Sequence, residues 1–84
     1  MFEPLTQIAY IPDHADGIDH PDVEFGFVTE SPPNSEYSFC RYWSKFEKDE
    51  LRTKSCGEST PNRCLTVYRS YDPAFVKKTY EKYK

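Results

Sequence analysis

The residues VEFGFVTESPPNSEYSFCRYW, Val23–Trp43, decide how this chain folds. They hold two runs that alternate with a period of two, separated by the turn-forming cluster Ser31-Pro32-Pro33-Asn34-Ser35. Along Val23–Glu30 the alternation places Val23, Phe25 and Phe27 on one face, and Glu24, Gly26 and Val28 on the other. Along Tyr37–Trp43 it sets Tyr37, Phe39, Arg41 and Trp43 against Ser38, Cys40 and Tyr42. Both runs read as strands. Gly26 has no side chain to pack, which marks a bulge or a sharp bend.

Outward from this pair, Gln7–Ile11 is a short strand ended by Pro12, and residues 12–22 form an irregular loop. Residues 44–49 are a charged loop. Glu50–Lys54 and Cys64–Arg69 read as the fourth and fifth strands, joined by the polar segment SCGESTPNR. Asp72 suits an N-cap and Pro73 the first helical position, where its missing N–H would be unpaired anyway. Val76, Tyr80 and Tyr83 recur at helical spacing, with Lys77, Lys78, Glu81 and Lys82 on the wet face. A helix this short is not stable alone, so it docks on the strands or on another molecule.

At 84 residues the chain is one domain, 1–84, with little core to spare. Seven Tyr, six Phe and one Trp outweigh the aliphatics, and each ring buries on the order of 150–250 Å². A small core made mostly of rings suits a short-stranded barrel over residues 7–69, with the helix at 72–83. The start MFEPLTQIAY has neither a basic n-region nor an apolar core, so no signal peptide is expected. No apolar run approaches the roughly 20 residues that span a bilayer, so no membrane is expected either. Cys40, Cys56 and Cys64, an odd count, read as reduced thiols in a cytoplasm.

Charge is split along the chain. Residues 1–40 hold eight acidic side chains and no Lys or Arg, whereas residues 41–84 hold eleven basic against six acidic ones. The net charge of −3 therefore conceals an acidic half and a basic half, which hints at a charged partner surface.

The stretch YIPDHADGIDHPDVEFGFVT, with YSFCRYW and LRTKSCGEST after it, resembles a family of small, uncharacterised phage, prophage and plasmid proteins. The matching positions are Tyr10, Ile11, Pro12, His14, Ala15, Gly17, His20, Pro21, Asp22, Glu24, Gly26, Val28, Arg41, Tyr42, Leu51, Arg52, Thr53 and Glu58. The likeness spans roughly residues 7–68 and leaves out the C-terminal helix. It implies an SH3-like or KOW-like barrel and a mobile-element origin, hence a bacterial host cytoplasm, but no activity. Family members commonly carry an aliphatic residue at Cys40 and Asn at Cys56, so neither thiol is expected to have an inherited role. The fold expectation is thus mainly β: a small SH3-like antiparallel barrel of about five strands with a C-terminal α-helix.

The loop DHADGIDHPD invites a metal, but its spacing fits no known pattern. With Gly17 as the sixth residue of a calcium loop, Pro12 would stand first, His14 third and Val23 twelfth. There is no Cys-x-x-Cys pair and no helical His spacing for zinc. No metal or other cofactor is expected; His14 and His20 should hydrogen-bond backbone groups, with Asp22 orienting a ring or capping a turn. No phosphate loop, nucleophile elbow or zinc-protease motif occurs, so no enzyme is expected. Arg41, Tyr42, Trp43, Lys45, Phe46 and Arg52 form a basic-aromatic mixture of the kind that binds nucleic acid, opposed by a pI near 5.3. The leading expectation is a protein partner, met by Asp13, Asp16, Asp19, Glu24, Glu30, Tyr42 and Trp43. Small phage proteins often disable host defences in this way, anti-CRISPR proteins among them, so an inhibitor or modulator of a host protein machine is expected. The runner-up is a nucleic-acid-associated SH3/KOW-like barrel in phage transcription or translation.

Overall fold

The computed structural model describes residues 2–83. Its strands are β1 (Gln7–Tyr10), β2 (Glu24–Glu30), β3 (Tyr37–Tyr42), β4 (Glu58–Pro61) and β5 (Leu65–Val67), followed by the helix α1 (Pro73–Lys82). All neighbours pair antiparallel, in the order β4-β3-β2-β1-β5. A single 3₁₀ turn, Asn62–Cys64, carries the chain from the β4 edge to the β5 edge. A flat sheet would set those edges about 19 Å apart, four strand spacings. Yet Asn62 N–H bonds the Glu36 carbonyl beside β3, and the Cys64 carbonyl accepts from Ile11 N–H beside β1, both at 2.8 Å. Two residues reach at most about 7 Å. The sheet must therefore curl on itself, and the result is the small SH3-like barrel.

Alternation along the strands sorts the apolar side chains into two clusters. Ile8, Val28, Cys40, Tyr42 and Leu65 fill one side, flanked by Tyr10. Phe27, Trp43, Leu51 and Val76 form the other, with Phe25, Tyr71, Phe75 and Tyr80 packed against them. Val76 belongs to α1, so the helix docks on the barrel. Its N-cap is Asp72, whose carboxylate accepts from Ala74 N–H at 2.8 Å. Buried Gln7 fastens the approach to α1: its amide oxygen accepts from Ser70 and Tyr71 N–H, and its nitrogen donates to the Tyr71 carbonyl. No helix among the described residues is long and apolar enough to cross a membrane.

Two strand expectations are corrected. Glu50–Lys54 is not a strand; it makes one isolated bridge, Leu51 with Trp43. The Thr53 hydroxyl accepts from Tyr42 N–H at 2.9 Å, occupying a backbone donor that a strand partner would have used. The fourth strand is instead Glu58–Pro61, inside the segment read as a polar connector. The bulge in β2 also lies elsewhere than expected: the register shifts between Val28 and Glu30, while Gly26 pairs with Tyr42. Gly26 answers a different need: a Cβ there would stand 1.9 Å from the Arg41 carbonyl oxygen. Only glycine lets β3 come this close.

Candidate functional site

Between β1 and β2 the chain makes three successive tight turns. Ala15 N–H bonds the Pro12 carbonyl, His20 N–H that of Gly17, and Val23 N–H that of His20. Proline, aspartate and glycine suit such turns, and here they fold residues 12–22 back on themselves. His14 and Asp22, eight residues apart, meet with Nε2 and Oδ2 at 2.6 Å. Asp22 N–H donates to His20 Nδ1 at 3.0 Å, and the two imidazole rings meet edge to face with centroids 5.3 Å apart. The His14 hydrogen bond holds the Asp22 carboxyl below its usual range. One donor atom from each of His14, His20 and Asp22 lies within 4.8 Å of the other two.

The acidic candidates divide into paired and unpaired groups. Asp13 accepts from Arg63 at 3.1 Å and from the Cys64 thiol at 3.6 Å, and the arginine lowers its carboxyl. Glu24 accepts from Arg52 at 2.9 Å, and Arg52 also bridges to Glu58. Asp16, Asp19 and Glu30 are exposed. Among the described residues none of these three has an ion-pair partner.

The aromatic candidates Tyr42 and Trp43 are corrected. Tyr42 is 2% exposed, with its hydroxyl 2.7 Å from that of Thr60. Trp43 is 6% exposed and lies against Phe27, Tyr71 and Phe75. Both rings face the core because a barrel this small has few other large side chains to fill it. Arg41 is buried too, donating to the Thr53 carbonyl at 3.0 Å beside the Tyr80 ring.

Phe46 is the most exposed of the large apolar side chains among the described residues, at 97%, ahead of Tyr37, Tyr68 and Phe39. Its loop is well held: Ser44 Oγ accepts from Phe46 and Glu47 N–H. Lys45 Nζ donates to the Pro21 carbonyl at 2.6 Å, joining this loop to the histidine loop. Phe46 also borders an open cleft of about 550 Å³ that includes Tyr10, Glu24, Arg52 and Glu58. A lone Phe inside the charged run KFEKDE was the sequence signal for it.

The thiols are free, and two are shielded. Burial pushes Cys40 up to about 11 and raises Cys64 as well, so neither has the depressed pKa of an activated nucleophile. No protein-family model, no curated protein and no solved structure matches the chain.

Proposed function

We propose that this protein is a non-enzymatic binding module of phage or mobile-element origin that inhibits or modulates a host protein machine in the bacterial cytoplasm, in the manner of an anti-CRISPR protein. The observation that carries this reading is Phe46. A phenylalanine that is 97% exposed on a well-bonded loop adds nothing to the core, whereas partner interfaces are anchored by a few aromatic side chains. Asp16 and Asp19 stand on the loop that Lys45 ties to it, and unpaired surface carboxylates speed the approach of a basic partner. The motif Tyr10–Thr29 supports the mobile-element origin.

A nucleic-acid role has less support. Of the mixture that suggested it, Arg41, Tyr42 and Trp43 are buried, and Arg52 is held by two carboxylates. Phosphate binding needs clustered, available cations.

The test is affinity capture from a bacterial host lysate, run side by side with wild type, Phe46→Ala and the double reversal Asp16→Lys, Asp19→Lys. A host protein retained by wild type and lost with either variant is the expected result. Equal retention by all three, or tight binding of plain oligonucleotides by wild type, overturns the reading.

A further inference from the structure

We propose that His14, His20 and Asp22 form a site for one divalent transition-metal ion of the zinc class, at the base of the acidic loop. Two imidazoles and a carboxylate are a donor set that suits zinc and its neighbours, while calcium and magnesium prefer oxygen alone. The donors already lie within 4.8 Å of one another. Zinc bonds of about 2.0–2.2 Å set tetrahedral ligands roughly 3.4 Å apart, so the cluster needs only side-chain adjustment. His14 Nε2 and Asp22 Oδ2 must separate somewhat from 2.6 Å, and His20 must close in.

The chemistry balances without a further reactant. The proton between His14 and Asp22 leaves Nε2, and solvent returns one to Nδ1, so Nε2 presents its lone pair to the ion. At His20, Asp22 N–H already turns the Nδ1 lone pair toward this segment, and the ion takes the place of that donor. A His14–Asp22 hydrogen bond alone would not require a second imidazole with its centroid 5.3 Å away. Electrostatics adds to this: Asp16 and Asp19, between the two histidines in sequence, carry no opposing charge of their own. Lys45 on the Pro21 carbonyl opposes the ion but is exposed, where water screens it. Three protein donors leave a fourth position for water or for a group of a partner.

Spacing along the chain hid this set. His-x5-His-x-Asp matches neither a helix nor a zinc-finger loop, but three tight turns bring it together.

The experiment is a calorimetric titration of the full chain with zinc chloride alone, with melting curves taken in parallel. Wild type should bind one equivalent saturably and melt higher with the metal present. His20→Ala and Asp22→Asn should each weaken binding by at least about tenfold, the scale seen even for outer-shell changes. Asp22→Asn keeps an acceptor for His14, and circular dichroism confirms that each variant is folded. Cys56→Ser, which removes the exposed thiol, should bind as wild type does. The absence of saturable binding overturns the proposal. So does binding that survives His20→Ala and Asp22→Asn, or binding lost with Cys56→Ser.

Discussion

Lys45 Nζ donates to the Pro21 carbonyl at 2.6 Å, so one side chain joins the loop of Phe46 to the loop of His14, His20 and Asp22. Lys45→Met keeps the aliphatic stem and removes the donor. Because Lys45 is exposed, stability should change by no more than about 0.5 kcal/mol. Partner capture should nevertheless fall several-fold, since the two loops lose their fixed spacing. Melting curves and binding measured on the same preparation separate the two effects.

Phe46→Ala should leave the melting temperature almost unchanged, because the ring is 97% exposed and buries nothing. As an anchor in an interface the same ring would be worth about 2 kcal/mol or more, some thirtyfold in affinity. Surface plasmon resonance against a captured partner measures this, and an unchanged dissociation rate would rule Phe46 out as the anchor.

Gly26→Ala should be severely destabilising. Its Cβ would lie 1.9 Å from the Arg41 carbonyl oxygen, a backbone atom that cannot swing aside. Strands β2 and β3 would have to part at this position, at a cost on the order of 3 kcal/mol. Urea unfolding of the variant, set beside Gly17→Ala as a control with open space at its Cβ, checks the prediction.

Alkaline pH should weaken the fold through Cys40. Its thiol is raised from an ordinary 9.0 to about 11 by burial, so the unfolded chain loses this proton first. Stability is therefore full below pH 9 and falls as pH rises toward 11, by on the order of 2–3 kcal/mol. Buried Tyr42, also raised, adds a loss of the same sign above pH 10. Denaturation curves at pH 8 and pH 10.5 should differ less for Cys40→Ala than for wild type.

Acid should act on the histidine loop with the opposite sign. Asp13 and Asp22 are both held below the ordinary 3.8, by Arg63 and by His14 respectively. Their contribution is present above about pH 4 and is lost as pH falls through their lowered values. Amide exchange of residues 13–22, corrected for intrinsic rates, should rise as pH falls below about 4. Asp22→Asn should remove most of that rise around His14.

Strand β3 was legible in the sequence because buried Ser38, Cys40 and Tyr42 alternate with Tyr37 and Phe39, which reach solvent, and with Arg41. Helix α1 was legible from Asp72-Pro73, a local signal that needs no tertiary knowledge. Strand β4 was not, since at this edge only Thr60 is buried and Glu58 and Ser59 remain in water. Leu51 and Thr53 misled in the other direction: both are buried around exposed Arg52, yet the Thr53 hydroxyl takes the Tyr42 N–H, so pairing with the end of β3 stops at the Leu51 bridge. At the site, the basic-aromatic mixture could not reveal which rings faced inward. Burial assigned Tyr42 and Trp43 to the core and left Phe46 outside.

The pairing of β1 with β5 also dictates when this protein can fold. Gln7–Tyr10 leaves the ribosome nearly sixty residues before its outer partner, Leu65–Val67. Until then the nascent chain has an open β1 edge, and the apolar face around Phe27 and Trp43 waits longer still for Val76. Contacts this distant in sequence favour late, all-at-once folding over stepwise folding during synthesis. A message truncated before residue 65 would therefore yield a sticky fragment with an unpaired strand rather than a smaller working domain.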